Sequence, residues 1–207
     1  MKNIIITGGL GYIGTELCKI YSGVSWNHKI TVIDNRFISE RVNQLRNWNI
    51  NFVHGDILDK GLINKYCKDA DIVHHLAGIT DVPRVKKDSN DSIDNQIILV
   101  GEKGTQNILD VISDKCKIIF PSTHVVYEGL EKVKTEIKES EDTKPVLSYS
   151  TSKAINEEQL KKSGKNYIIL RLGSVYGYST DSMRIDIMPN LFSKIASQNG
   201  TLKLFAG

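Results

Sequence analysis

The sequence is short of several things, and each shortage narrows the field. Its 207 residues hold only three cysteines, Cys18, Cys67 and Cys116, and none has CxxC spacing. That argues against a disulfide framework and against a zinc or thiol-redox site, and a reduced, cytoplasmic protein without a metal is expected. No apolar run approaches the roughly 20 residues of a membrane-spanning helix. Met1-Lys2-Asn3 passes directly into Ile4-Ile5-Ile6, which leaves no room for the apolar core and cleavage site of a signal peptide. The expectation is a protein neither secreted nor inserted in a membrane. Charge of one sign is also missing. Lys and Arg number 27 against 24 Asp and Glu, a net charge of +3. The longest basic clusters, such as Lys86-Lys87 and Lys161-Lys162, read as solvated helix faces. They form no stripe of the kind a phosphate backbone requires, so no nucleic-acid partner is expected. Internal repeats and low-complexity linkers are absent as well.

With 40% hydrophobic and 25% charged residues, the chain has enough apolar material for one large domain with a continuous core. Short apolar runs recur along it at Ile4–Thr7, Ile30–Asp34, Asn51–His54, Asp71–Leu76, Lys117–Pro121, Tyr167–Leu172 and Leu202–Phe205. Helical stretches separate them, read at Tyr12–Val24, Asp59–Lys68 and Asp94–Ser113, with another helix beginning near Tyr149. Continuous apolar strands alternating with helices indicate an α/β fold, a doubly wound parallel sheet of Rossmann-like type with helices on both faces. Glu128–Leu147 is polar and without periodicity, and reads as a surface excursion overhanging the carboxyl ends of the strands.

Thr7-Gly8-Gly9-Leu10-Gly11-Tyr12-Ile13-Gly14 follows the first strand and opens the first helix. Gly8 permits the sharp turn, Gly11 lets a diphosphate approach the backbone, and Gly14 permits close helix–strand packing. The diphosphate would rest on the positive end of the helix. Asp34 comes 20 residues after Gly14, at the end of the second strand, where a carboxylate accepts the ribose hydroxyls of NAD and repels the 2′-phosphate of NADP. Two other readings stay open there: Asp34-Asn35 as a turn cap, and Arg36 as a group that accommodates the extra phosphate. Tyr149 and Lys153, four apart on a helix, share a face, and an ammonium beside a phenol favours the phenolate that proton transfer needs.

Seven ordered motifs, from TGGLGYIG at Thr7–Gly14 and IDN at Ile33–Asn35 through GDI at Gly55–Ile57, HLAG at His75–Gly78, PSTHVVYEG at Pro121–Gly129, YSTSK at Tyr149–Lys153 and LRLGSVYG at Leu170–Gly177, carry a family resemblance. The chain resembles the extended short-chain dehydrogenase/reductases, particularly NAD-dependent sugar-nucleotide epimerases and dehydratases. The resemblance implies NAD as cofactor, held by Gly8, Gly11, Tyr12, Ile13, Gly14, Asp34, Asn35, Asp56, Ile57, Leu76, Ala77, Gly78, Ser122, Tyr149 and Lys153. It implies Thr123, Tyr149 and Lys153 as the catalytic triad, with Thr80, Thr123, His124 and Ser174 on a nucleotide-sugar substrate. The implied reaction is epimerisation through a transient keto-sugar. A non-catalytic NAD-binding protein and an NAD(P)-dependent reductase of a small carbonyl metabolite are the alternatives.

Departures from the family pattern sharpen the expectation. The 4,6-dehydratases carry an Asp-Glu pair directly after the threonine, where this chain has His124-Val125, which argues against elimination of water. His124 is open to an acid/base role or a packing role. The usual Asn of the Asn-Val-x-Gly-Thr motif is Gly101, and an Asn often found before Val-Tyr-Gly is Ser174. Residues 1–177 are expected to form the NAD-binding domain and residues 178–207 the start of a truncated substrate-binding region. The resemblance also implies a homodimer built on the Asp94–Ser113 and Tyr149–Gly164 helices.

Overall fold

The structure is a computed structural model, and it describes residues 1–24, 28–80, 90–132, 134–179 and 182–204. Six strands form one wholly parallel sheet: β1 (Asn3–Thr7), β2 (Lys29–Asp34), β3 (Asn51–His54), β4 (Ile72–His75), β5 (Lys117–Thr123) and β6 (Asn166–Leu172). Between and after them run α1 (Tyr12–Gly23), α2 (Ser39–Asn47), α3 (Lys60–Cys67), α4 (Asp91–Val111), α5 (Ser148–Lys162) and α6 (Met188–Ser197). The spatial order is β3-β2-β1-β4-β5-β6. Strand order therefore reverses between β1 and β4, and a crevice opens at the carboxyl ends of the strands there.

Each face of the sheet has its own core. Ile4, Ile6 and Val32 pack with Cys18 of α1 and with Val42 and Leu45 of α2. Ile5, Ile33, Val73, Ile118 and Phe120 pack on the opposite face with Ile63 of α3, Ile108 and Leu109 of α4, and Leu160 of α5. Because alternate residues of β1 enter opposite cores, the strand is apolar throughout rather than alternating, the pattern of a strand covered on both sides. All three cysteines are buried free thiols. Among the described residues no helix is long and apolar enough to cross a membrane.

The structure corrects the sequence expectation in four places. Helix α2 was not anticipated, since SERVNQLRN buries only Val42 and Leu45. Helix α6 was not anticipated either. Residues 201–204 form no strand, with Leu202 and Leu204 both exposed, while Phe205 lies outside the described residues. A strand requires a ladder partner, and these residues have none. Helix α4 begins three residues before the expected Asp94, because the Asn90 side chain accepts from the amides of Ser92 and Ile93 and caps the helix there.

Candidate active site

A cleft of about 770 Å³ opens at the strand-order reversal. Every residue named above for cofactor, catalysis or substrate lines it, from Gly8 on one side to Ser174 on the other. Its floor near β1 is made of backbone. Gly8 stands at φ +70° with no room for a side chain, since a Cβ would lie 2.7 Å from the backbone of Ala77. A Cβ on Gly14 would lie 2.6 Å from the Gly8 carbonyl oxygen. The first turn of α1 has no side-chain cap and no acidic residue, so its amides are left for an anion. A cradle that any Cβ would fill, followed by an uncapped helix start, fits a dinucleotide diphosphate.

Across the turn, Asp34 is buried at the end of β2 and accepts from the amides of Leu10 (2.9 Å) and Arg36 (3.0 Å) and from the Arg36 guanidinium. Asn35 donates to Asp56 (3.1 Å), whose other oxygen accepts from the amide of Leu58 (2.9 Å). Asn107 of α4 donates to the carbonyls of Ile57 (2.9 Å) and Leu58 (3.2 Å), which fixes the loop after β3. The Tyr12 hydroxyl donates to the Gly177 carbonyl (2.5 Å), tying the glycine turn to the segment after β6.

The catalytic candidates meet at the other end of the cleft. Thr123 closes β5, and its hydroxyl oxygen accepts from the amide of Val125 (3.3 Å), leaving the hydroxyl hydrogen free to donate into the cleft. Tyr149 and Lys153 occupy the first turns of α5. That helix start is held by Glu128, whose carboxylate accepts from the amides of Val146 and Leu147 (2.7 Å each) and from the Ser150 hydroxyl. Lys153, only 9% exposed, donates from Nζ to the Pro121 carbonyl (2.8 Å) and lies 5.9 Å from the Tyr149 ring centre. Burial pushes the Lys153 ammonium down to about 8. The Tyr149 phenol is raised by burial, and the charge that opposes the rise is Arg184. The charge that lowers the Tyr149 phenol here is that of Arg184 rather than the expected Lys153, which donates one of its three N–H groups to the Pro121 carbonyl.

Several further placements bear on the expectation. Ser122 lines the cleft but spends its hydroxyl on Glu157 (2.6 Å). His124 bonds through Nδ1 to the Leu172 carbonyl (3.1 Å), so that nitrogen carries the proton. At Gly101 a Cβ would sit 2.0 Å from Ser152 Oγ of α5, so a larger residue there requires that hydroxyl to turn away. Among the described residues the 128–147 excursion contributes nothing to this cleft. It borders a neighbouring hollow with His124, Val125, Tyr127 and Arg171 instead.

Sequence reasoning missed Arg41, Arg184 and the buried pair Glu157–Arg171. Arg171 donates to Glu157 from Nη2 (2.6 Å) and Nε (3.0 Å), and from Nη1 to Tyr127 and to the Glu139 carbonyl. Burial pushes Glu157 up, but the bonds from Arg171 and Ser122 outweigh it and hold the carboxyl below its usual range. The available signal was the spacing of Tyr149, Lys153 and Glu157 at i, i+4 and i+8, which places all three on one helix face.

The fold and this cleft define a dinucleotide-binding α/β domain with a Tyr/Lys helix at its switch point. The chain belongs to the NAD dependent epimerase/dehydratase family, whose pattern matches residues 4–206. It is 32% identical over 198 residues to a dTDP-D-glucose 4,6-dehydratase of Dictyostelium discoideum, covering 86% of this chain and 44% of that protein. It is 31% identical over 204 residues to a CDP-paratose 2-epimerase of Salmonella typhi, covering 84% of this chain and 57% of that one. The crystal structure of a UDP-glucose 4-epimerase from Thermotoga maritima with UDP-glucose superposes with a TM-score of 0.77 at 25% identity, over 99% of this chain and 66% of that one. This chain therefore spans about half the length of the curated relatives it matches.

Proposed function

We propose that the chain carries the cofactor site and catalytic centre of an NAD-dependent nucleotide-sugar epimerase. One observation carries the reading: Thr123, Tyr149 and Lys153 line the same cleft as the glycine turn and Asp34. The α1 amides and Gly8, Gly11 and Gly14 would hold the diphosphate, Asp34 the adenosine ribose, Asp56 and Ile57 the adenine, and Leu76-Ala77-Gly78 the length of the dinucleotide. Bound NAD would supply a reversible hydride acceptor. Tyr149 Oη takes the proton of a sugar hydroxyl as the carbon beneath loses hydride, and returns it when hydride comes back to the opposite face of the keto-sugar. Thr123 donates to the reacting oxygen. Lys153 holds the nicotinamide ribose with the N–H groups that the Pro121 carbonyl leaves free. His124-Val125 after Thr123 supply no carboxyl pair, which favours epimerisation over elimination.

Residues 178–207 are the proposed beginning of the substrate-binding region, with Thr80, His124 and Ser174 on the sugar nucleotide. A cytoplasmic homodimer joined through α4 and α5, which pack side by side within the chain, completes the reading. The test is turnover of a panel of nucleotide sugars with added NAD, read as epimer formed. Tyr149→Phe lowers the rate by about 10²–10⁴-fold while NAD affinity holds. An unchanged rate in that variant refutes the catalytic assignment.

A further inference from the structure

β5 last pairs with β4 at Ile119, while its ladder to β6 runs on to Thr123. Two residues of that stretch meet Lys153. Pro121, which has no N–H of its own, gives its carbonyl to Nζ (2.8 Å). Phe120, 1% exposed, sets its ring centre 4.4 Å from the same Nζ, against 5.9 Å for the Tyr149 ring. Phe120 in turn packs on His75, with ring centres 5.7 Å apart, and both His75 nitrogens are held by threonine hydroxyls, Thr7 at 2.9 Å and Thr105 at 3.0 Å. Among the described residues no carboxylate pairs with Nζ, and Glu157, the next acid along α5, is bound to Arg171 (2.6 Å). His75 is neutral, since burial pushes it down to about 3, and Arg184 bears on the Tyr149 phenol. An ammonium this deeply buried needs a counter-group, and an aromatic face supplies one that strengthens as water is excluded.

Resting on the dinucleotide reading above, we infer that Phe120 is a positioning residue for Lys153. Its ring face fixes where Nζ stands and keeps the amine protonated in a site that offers it no carboxylate. It thereby sets the highest pH at which Lys153 holds the nicotinamide ribose as a cation. Burial already pushes this ammonium down to about 8, so losing the ring brings its deprotonation into the neutral range.

The experiment follows Lys153 directly, by carbon-13 resonance titration of the full chain labelled at lysine Cε, without cofactor; the signal is identified by its loss in Lys153→Met. In Phe120→Leu the midpoint falls by about one pH unit, the size of a desolvated cation–π contact. Phe120→Tyr keeps a ring face and titrates near wild type. Phe120→Met takes the place of the leucine variant if that one does not fold, with the same expectation. Calorimetric titration of NAD gives the second readout. At about pH 8 the ring-free variant binds up to about fivefold more weakly than wild type, because about a tenth rather than about half of its Lys153 is charged. At about pH 6, well below both midpoints, the two bind alike. If the midpoint in the ring-free variant stays in place or rises, or if tyrosine lowers it as far as leucine does, Phe120 only fills the core and the inference is overturned. If wild type binds no NAD, the proposed function fails, while the resonance still decides whether the ring holds the ammonium.

Discussion

The two halves of the sheet build their shares of the cleft by different means. On the β1–β3 side the backbone does the work: Gly8 and Gly14 bring main chain against main chain with no space for a methyl group, on a β1 whose interior residues are all buried. On the β4–β6 side the outer strand is largely exposed, and side chains hold the site together. Glu157 gathers Ser122 from β5 and Arg171 from β6, and His75 reaches both Thr7 (2.9 Å) and Thr105 (3.0 Å). A backbone cradle fails sterically and locally. A side-chain lattice fails by stranding a charge, and its effect spreads to every element it joins.

The sharpest way to break the contrast is to remove Glu157, which is 1% exposed. Glu157→Ala leaves Arg171, with a side chain 13% exposed, without its carboxylate. Stranding a buried charge costs about 3–5 kcal/mol, to be measured by urea unfolding. Glu157→Gln, which can still accept from Ser122 and Arg171, loses visibly less. Equal losses in the two variants would mean that the charge alone matters at this position, since glutamine keeps the side-chain volume and an acceptor oxygen.

Acid probes the middle of the sheet, where the two halves meet. Burial pushes His74 down to about 4, and burial together with the Lys153 charge pushes His75 down to about 3. In the unfolded chain an imidazole titrates near pH 6.5, roughly its free value. Below that pH the unfolded chain binds protons that the folded chain refuses, so the stability that is complete above about pH 6.5 drains as pH falls. The drain ends near pH 4 for His74 and near pH 3 for His75. At pH 5 the loss is about 2 kcal/mol for each histidine. Thermal melting from pH 7 to 5 checks it, and His75→Gln removes about half of the slope. A flat profile above pH 5 would show that neither imidazole is held neutral.

The β1–β3 half was largely legible in the sequence, because its devices are local. Three glycines within one turn and an aspartate at the next strand end act through their own backbone positions, and both ends of the expected α1 fall within one residue of the structure. The β4–β6 half was legible only in part. Tyr149, Lys153 and Thr123 line one cleft, but what holds them joins residues far apart in sequence. Ser122 meets Glu157 across 35 positions and Tyr127 meets Arg171 across 44. A glutamate on a helix carrying several lysines reads as a solvated charge, and only packing turns it into a buried clamp. The direction of Lys153 was illegible for the same reason: helical spacing puts it near Tyr149, while the competing carbonyl of Pro121 belongs to another element.

A methyl group in the backbone cradle tests the other half. Gly14→Ala puts a Cβ 2.6 Å from the Gly8 carbonyl oxygen and from Gly9 Cα, both backbone, so α1 must move away from the turn. Overpacking of this kind costs about 1–3 kcal/mol. The distinguishing result is the loss of dinucleotide affinity at temperatures where the variant is still folded. Retained affinity would mean that the diphosphate does not use the α1 amides.

The smallest effects compare two caps of similar strength. Asp59 caps α3 by accepting from the amide of Leu62 (3.0 Å), three residues away. Asp59→Ala costs about 1 kcal/mol and leaves turnover alone, since α3 carries no group of the cleft. Glu128 steadies the entry to α5 from a distance, accepting from the amides of Val146 and Leu147 just before the helix and from the Ser150 hydroxyl. Glu128→Ala also costs about 1 kcal/mol, the net worth of an ordinary hydrogen bond, but here the freed segment leads directly into Tyr149. Turnover falls while dinucleotide affinity holds, because the phenol loses its fixed approach and the glycine turn does not. If both variants lose the same stability and neither loses turnover, the start of α5 is rigid without Glu128, and the side-chain lattice ends at Glu157.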